Sequence, residues 1–191
     1  MIELLDNLLI GKGRFRSCYQ HPYKDNLVIK IQHHQSSDVK GKYSSHNREL
    51  AFYKKITGAH DAFPELISIE DTNFGDGLVF KKIVNNDGSS AHHLFPNGKY
   101  NGGLSIDVYQ KIIRIMKQLE KDAILSCAVN PENLLLVNGE YGVMLISCDA
   151  KLLENKELIP VSKFSCYFMR KKIKRRNERL LRFYASFINE S

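Results

Sequence analysis

The stretch Pro131-Glu132-Asn133-Leu134-Leu135-Leu136, followed by the apolar run Val143-Met144-Leu145-Ile146 and then by Asp149, decides the fold that we predict for this chain. An Asn in a loop just before one strand and an Asp at the end of the next strand can place two oxygen ligands a few Å apart. Mg²⁺ on a nucleotide triphosphate needs such oxygens, because it keeps several waters and takes only one or two protein ligands. The pattern therefore predicts a magnesium site at Asn133 and Asp149.

Together with Asn133, the segment just before this stretch resembles the catalytic loop of protein kinases but lacks its catalytic carboxylate. The kinase catalytic loop His-Arg-Asp-Leu-Lys-Pro-Glu-Asn corresponds here to Ser-Cys-Ala-Val-Asn-Pro-Glu-Asn at 126–133. Ala128 stands at the position of the catalytic carboxylate and cannot accept a proton, and general-base assistance contributes about 10²–10⁴-fold to such reactions. Ser126, Cys127 and Asp122 are the nearby candidates to replace it, but the first two are poor bases unless they are activated, and Asp122 is expected to end the preceding helix.

The composition is that of an ordinary globular protein. With 191 residues, 43% of them hydrophobic and 26% charged, the chain can form one solid core or two small lobes. No stretch approaches the roughly 18 apolar residues of a membrane helix, and the acidic opening at 1–6 lacks the basic region of a secretory signal. We therefore expect a cytoplasmic protein. The four cysteines form no CxxC pair, so neither a zinc site nor a redox dithiol is predicted.

The net charge of +7 is concentrated near the C-terminus. Such a concentration could attract nucleic acid, an anionic membrane or an acidic partner. Apolar residues such as Phe168, Ile173 and Tyr184 recur at helical spacing in the same segment, which predicts an amphipathic helix with one docked face and one solvated basic face. Both interpretations stay open. The basic residues concerned are Arg170, Lys171, Lys172, Lys174, Arg175 and Arg176.

A glycine-containing turn lies near the N-terminus. Residues 9–19 have the pattern of two short strands joined by this turn, and residues 27–31 form a third apolar strand. Gly11 and Gly13 would let backbone N–H groups approach phosphate oxygens without interference from a Cβ atom. The third glycine of a kinase loop is replaced by Arg16. By itself a GxG pair is weak evidence for a nucleotide.

Lys30 and Glu49 form a candidate ion pair. Lys30 lies in the middle of the apolar strand at 27–31, and a buried lysine usually needs a partner. Glu49 belongs to the segment 46–56, whose apolar residues recur at helical spacing, so it is a candidate to hold Lys30 across the sheet. The alternative is that Glu49 is solvated and that Lys30 extends to the rim of the sheet.

The remaining patterns complete an N-terminal sheet and divide the chain. The pattern predicts two further strands, at residues 64–70 and 77–83, which would make the sheet five-stranded. The breaker cluster Asn-Asn-Asp-Gly-Ser-Ser at 85–90 predicts a boundary between an N-terminal lobe, residues 1–85, and a C-terminal lobe, residues 86–191. Ser105 can cap an amphipathic helix that would support the loop before Asn133.

Taken in order from Gly11 to Asp149, these elements resemble the protein kinase-like fold. More closely, they resemble the PhoP regulatory network protein family, the YrbL-like proteins, over nearly the whole chain. The motifs that carry this resemblance are Gly-x-Gly-Arg-x-Arg-x-Cys-Tyr-x-His-Pro at 11–22, Ile29-Lys30-Ile31, Arg48-Glu49-Leu50, Cys148-Asp149 and Leu158-Ile159-Pro160. The resemblance implies an α+β, kinase-like fold, with a five-stranded antiparallel sheet and one helix before a reduced, mainly helical C-terminal lobe.

The resemblance also implies ATP and Mg²⁺ as cofactors. The Gly11 and Gly13 backbone would cover the phosphates, and residues 80–84 would meet adenine through backbone groups. Lys30 would contact the α- and β-phosphates and Glu49 would orient it. The metal ligands would again be Asn133 and Asp149.

Three hypotheses about function follow. The first is a kinase-like ATP-binding protein, either a pseudokinase or a weak atypical kinase, with a regulatory role and a regulatory protein partner. The second is an active phosphotransferase that works through Asn133 and Asp149 without the usual catalytic Asp. The third is a binding module whose basic helix at 170–182 engages nucleic acid or an acidic protein, with the kinase-like body as a degenerate scaffold.

Overall fold

A five-stranded antiparallel sheet forms the N-terminal part of the structure, with the strand order β1-β2-β3-β5-β4. The structure is a computed structural model that describes residues 1–13, 15–33, 44–58, 60–96, 104–140, 142–153 and 165–188. The sheet confirms the predicted antiparallel arrangement, and the chain is α+β. Its strands are β1 (Leu9–Lys12), β2 (Arg16–Gln20), β3 (Leu27–Gln32), β4 (Leu66–Thr72) and β5 (Gly75–Lys81).

Strand β3 lies at the centre of this sheet and is covered on both faces. Ile29 and Ile31 pack in an apolar cluster with Leu4 near the N-terminus, whereas Val28 packs on the other side with Phe80. Since side chains alternate along a strand, Lys30 lies on the same face as Val28. That face is the one against which the first helix packs, so the two-residue period directs the Lys30 side chain toward that helix.

The first helix, α1 (Ser45–Tyr53), follows β3 in the described chain. Ser44 caps its N-terminus, since the Ser44 side chain accepts a hydrogen bond of 3.0 Å from the Asn47 N–H. Glu49 and Phe52 are fully buried on its inner face. The helix ends at Tyr53, earlier than the segment 46–56 suggested, and a short 3₁₀ turn follows at His60–Ala62.

Two longer helices, α2 (Ile106–Lys121) and α3 (Cys166–Ala185), pack against each other. The predicted cap of α2 is confirmed, because the Ser105 hydroxyl accepts from the Val108 N–H at 3.3 Å. The docked face of α3 is confirmed for Ile173 and Tyr184, both of which are buried. The expectation was wrong for Phe168, which is 49% exposed because it lies in the first turn of α3, ahead of the buried contacts.

A small antiparallel sheet positions the two predicted metal ligands. It contains β6 (His92–His93), β7 (Leu134–Gly139) and β8 (Gly142–Ser147), in the order β6-β7-β8. A 3₁₀ turn at Pro131–Asn133 leads into β7, and the first residue of β7 pairs with the last of β8. The hairpin therefore brings the residue before β7 close to the residues after β8.

The largest apolar core joins the helices to the β7–β8 hairpin, and its buried members extend along the chain from Phe52 to Tyr184. Tyr184 closes this core from α3, and its hydroxyl donates a 2.8 Å hydrogen bond to the Val129 carbonyl. No helix among the described residues has the length and apolar character needed to cross a membrane. The family motif at 158–160 lies outside the described residues.

Gly77 in β5 offers a test of packing between β3 and β5. A Cβ atom there would lie 2.5 Å from Ile29 Cγ2 and 2.9 Å from Ile31 Cδ1. We expect Gly77→Ala to lower the free energy of unfolding by about 1–3 kcal/mol, because these methyl groups must move within a packed core. Urea unfolding measures the change. Gly11→Ala is the matched control, since no atom of the described chain lies within 4 Å of its added Cβ. An equal loss in both variants would contradict the prediction.

Candidate functional site

Five charged side chains meet where β2, β3, α1 and the segment after β8 come together. We call this group the charged cluster. It is joined by ion pairs of Glu49 with two cations and of Asp149 with two cations, and each of its side chains is at most 25% exposed. Its members are Arg16, Lys30, Glu49, Asp149 and Lys151.

Lys30 is held by three groups within the cluster. Its Nζ atom donates to Glu49 Oε1 at 2.9 Å and to the Cys148 carbonyl oxygen at 2.8 Å. It also lies 4.2 Å from the centroid of the Phe80 ring, a distance at which a cation is attracted by an aromatic face. The structure therefore brings Lys30 and Glu49 together, and the alternative of a solvated Glu49 does not describe it.

Glu49 is ionised although its side chain is fully buried. Burial raises the pKa of this carboxyl, but the positive charges of Arg16 and Lys30 lower it further, so that the net shift of the pKa is downward. The second carboxylate oxygen, Oε2, accepts a hydrogen bond from Arg16. Both oxygens of the only carboxylate on α1 are thus paired with cations.

Arg16 bridges the two carboxylates of the cluster. One terminal nitrogen of its guanidinium contacts Glu49 and the other contacts Asp149 Oδ1. The other oxygen of Asp149, Oδ2, lies 3.1 Å from Lys151 Nζ. Burial raises the pKa of Asp149, but Arg16, Lys30 and Lys151 lower it more strongly, so its net shift is downward. Burial opposes the charge of Arg16, but Glu49 and Asp149 raise its pKa overall.

Asn133 lies beside Asp149, as the hairpin requires. Its Nδ2 donates to the Cys127 carbonyl at 2.9 Å and to the Asp149 carbonyl at 3.3 Å, which ties the 3₁₀ turn to the chain after β8. Both carboxylate oxygens of Asp149 are already paired with Arg16 and Lys151, and a divalent ion there would be repelled by both cations. This arrangement does not fit Mg²⁺ at Asp149, and the metal assignment stays a prediction from sequence.

The position that the resemblance assigns to the kinase catalytic carboxylate is that of Ala128, which is fully buried. The nearby candidates to replace it are engaged elsewhere. The Ser126 hydroxyl donates 2.9 Å to a backbone carbonyl, and burial raises the pKa of Cys127 to about 11, so this thiol is protonated at neutral pH. Asp122 accepts hydrogen bonds from the Thr57 N–H at 3.0 Å and from its hydroxyl at 2.7 Å.

Of the two glycines of the predicted phosphate loop, Gly11 lies in β1 and Gly13 lies in the turn between β1 and β2. The Gly13 N–H donates to the Arg16 carbonyl at 2.8 Å, and Gly11 pairs with Cys18. Among the described residues, no atom lies within 4 Å of a Cβ atom placed at Gly11, and the nearest atom to one at Gly13 is the Arg16 carbonyl oxygen at 3.4 Å. Packing against the part of the chain that the structure describes therefore does not require glycine at position 11.

The segment 80–84, predicted to meet adenine, begins in the sheet. The Lys81 N–H donates to the Glu65 carbonyl at 2.9 Å, and the Lys82 N–H donates to the Asn26 carbonyl at 2.8 Å. These two donors are therefore engaged within the protein, and an adenine ring would have to use other backbone groups of the segment.

The basic side chains of α3 do not form one uniform surface. Arg176 contacts the side chain of Asn130, next to the 3₁₀ turn, and Arg170 donates 2.9 Å to the Lys121 carbonyl. The side chains of three others, Lys171, Lys174 and Arg175, are exposed. Part of the predicted nucleic-acid surface is therefore used to hold α3 against the rest of the protein.

Two members of the charged cluster were not predicted from sequence. Arg16 stands where a kinase loop has its third glycine, and Lys151 stands where the Asp-Phe-Gly motif has its glycine. Compared with the kinase motifs alone, each residue indicates only that a glycine is missing. One feature of the sequence could have identified them. Both residues are cations, and each lies near a residue predicted to bind phosphate or metal, Gly13 for Arg16 and Asp149 for Lys151.

Comparison with known proteins assigns the chain to a family. A family model described as PhoP regulatory network protein YrbL matches residues 2–185. The YrbL proteins of Escherichia coli (strain K12) and Shigella flexneri are each 26% identical to this chain over 172 residues, which cover 86% of this chain and 79% of each relative. The match over nearly all of the chain agrees with the motifs quoted above, and the chain therefore belongs to the PhoP regulatory network protein YrbL family.

Proposed function

We propose that this protein is a kinase-like, ATP-binding pseudokinase with a regulatory role. The observation that carries the proposal is the ion pair between Lys30 on β3 and Glu49 on α1, next to the chain that leads into Asp149. In protein kinases a Lys on the corresponding strand contacts nucleotide phosphates and is oriented by a helix Glu. The same residue types in the same order support a phosphate site at the charged cluster.

The charge and shape of the cluster are consistent with an anionic ligand. Three cations face two carboxylates, which leaves one net positive charge among side chains that are largely shielded from solvent. A positive site with low-dielectric walls attracts phosphate groups. The open space over Gly11 would let a phosphate oxygen approach the backbone of the β1–β2 turn.

Binding without efficient transfer is the role that the site supports best. Phosphoryl transfer depends mainly on positioning and charge neutralisation, but it is assisted by a carboxylate that accepts the substrate proton. A buried alanine occupies that position here, and the neighbouring thiol of Cys127 is protonated at neutral pH. A ligand that prefers one conformation of the cluster would shift the protein toward it, which is sufficient for regulation of a protein partner.

The regulatory part of the proposal is supported by the family description, which names the PhoP regulatory network. The metal part stays a separate prediction. Mg²⁺ at Asn133 and Asp149 would need Arg16 to leave Asp149, so binding should be measured both with Mg²⁺ and with excess EDTA.

The proposal is tested by isothermal titration of ATP into the wild type and into Lys30→Met. We expect the variant to bind ATP at least about tenfold more weakly, because a hydrogen bond to a charged group contributes about 1.5–3 kcal/mol. Lys54→Met is the matched control, since Lys54 is exposed at the C-terminal end of α1, and it should bind as the wild type does.

Wild-type affinity in a folded Lys30→Met protein would contradict the proposed site. Circular dichroism of each variant establishes that it is folded before the titrations are compared. Sustained release of the ATP γ-phosphate that Asp149→Ala abolishes would favour the phosphotransferase alternative over the pseudokinase.

A further inference from the structure

The charged cluster contains a cation that the kinase pattern does not have. Arg16 lies at the start of β2 and places its guanidinium between Glu49 and Asp149, with 10% of its side chain exposed. In protein kinases a divalent ion lies beside the corresponding Asp and neutralises phosphate charge. Here the protein itself supplies a permanent positive charge in contact with that Asp, because an arginine stays protonated at every physiological pH.

We propose that Arg16 is the resident cation of this site and that the site binds the polyphosphate of a nucleotide without a divalent metal. This inference rests on the proposed ATP-binding function and specifies its chemistry. It differs from the sequence-based prediction, in which Asn133 and Asp149 bind Mg²⁺.

The donor count of Arg16 leaves it able to bind phosphate. A guanidinium has five N–H donors in a planar fork, and the contacts to Glu49 and Asp149 use two of them, so three have no partner among the described residues. A fork of this kind matches the oxygens of a phosphate group and can bind two of them together. The 25% exposure of the Asp149 side chain marks the side on which the cluster is least enclosed.

Displacement of Arg16 by a metal ion would be unfavourable. Removing one partner of a buried ion pair leaves an uncompensated charge. The free-energy cost of that charge would weaken metal binding by a factor of about 10² or more. Glu49 is fully buried and would lose one of its two partners if Arg16 moved away. Lys151 would still contact Asp149 and would still repel an incoming divalent ion.

The charge balance predicts what happens when Arg16 is neutralised. With Arg16 the cluster has three cations and two carboxylates, and without its charge it has two of each. A neutral cluster attracts a polyphosphate less strongly, and Asp149 is then free of one cation. Both changes should make nucleotide binding depend on a divalent ion.

The test is titration of ATP into the full chain, in excess EDTA and in Mg²⁺, for the wild type, Arg16→Gln and Arg16→Lys. We expect the wild-type affinity to differ less than about twofold between the two buffers. Arg16→Gln should bind at least about tenfold more weakly in EDTA and should regain affinity in Mg²⁺. Arg16→Lys keeps the charge and loses the planar fork, so its affinity for ATP in EDTA should lie between those of the wild type and Arg16→Gln. The exposed Arg114→Gln serves as the control and should match the wild type.

Three results would overturn the inference. Wild-type binding that requires Mg²⁺ would restore the metal site and leave the proposed ATP-binding function intact. Tighter binding by Arg16→Gln than by the wild type in both buffers would show that Arg16 blocks the site. An absence of ATP binding in every buffer would remove the proposed function together with the inference. If Arg16→Gln does not fold, the wild-type affinities in EDTA and in Mg²⁺ still show whether ATP binding requires a divalent ion.

Discussion

Replacement of Glu49 by alanine is expected to lower the free energy of unfolding by about 3–5 kcal/mol, the range typical of removing one partner from a buried ion pair. Glu49 is fully buried and each of its two oxygens is paired, one with Lys30 and one with Arg16. Without it, Lys30 and Arg16 would lose their shared carboxylate, and of these two cations only Arg16 would keep an ion pair among the described residues, with Asp149. The loss is a large fraction of the stability of an ordinary domain.

Urea unfolding at pH 7 measures this change. Glu65→Ala is the control, because Glu65 is exposed and its removal should change the free energy of unfolding by less than about 0.5 kcal/mol. Glu49→Gln keeps the shape of the side chain and provides a milder variant if the alanine variant does not fold. A loss below about 1 kcal/mol for Glu49→Ala would mean that the cluster is hydrated and that its ion pairs contribute little.

Acidification from pH 7 to 4.5 is expected to lower the free energy of unfolding by about 2 kcal/mol through His46 alone. Burial and the neighbouring charge of Arg16 lower the pKa of His46 from 6.5 to about 4, and its Nε2 atom is buried with no hydrogen-bond partner among the described residues. The folded protein therefore favours the neutral imidazole. This contribution is fully present above pH 6.5 and is lost as the pH falls from 6.5 toward 4.

The effect of His46 is isolated by comparison with His46→Gln. Carboxylates also titrate in acid, so the quantity to compare is the change in the free energy of unfolding between pH 7 and 4.5 for each protein. That change should be smaller in His46→Gln by about 2 kcal/mol. The exposed His93→Gln controls for the loss of an imidazole. Equal pH dependence in the wild type and His46→Gln would contradict the assignment.

Much of the fold could be predicted because its signals are local. The alternation of apolar residues around Lys30 is a property of one strand, and the capping serine of α2 acts within one helical turn. The positions of Asn133 and Asp149 on either side of a hairpin follow from two adjacent apolar runs. The antiparallel sheet and the proximity of these two residues were therefore accessible from sequence.

The basic C-terminal segment shows where local patterns were insufficient. Its apolar spacing predicted a docked helix, and Ile173 and Tyr184 are buried as expected. Spacing alone could not show that Phe168 is exposed while Ile173 and Tyr184 are buried. That difference depends on which turns of α3 pack against the rest of the protein. Spacing also could not identify Arg176 as a contact of Asn130, because that contact joins segments distant in the chain.

The charged cluster shows which contacts could be predicted from sequence and which depend on the tertiary structure. Sequence order made Glu49 a candidate partner of Lys30 and predicted that Asn133 lies near Asp149, because each pair belongs to a pattern of residue types at recognisable spacing. Only the folded chain shows Arg16 between Glu49 and Asp149, since this contact joins the β1–β2 hairpin, a helix and the chain after β8. The physical reason is that ion pairing depends on distance and burial in space, whereas strand period, capping and turns depend on near neighbours in the chain.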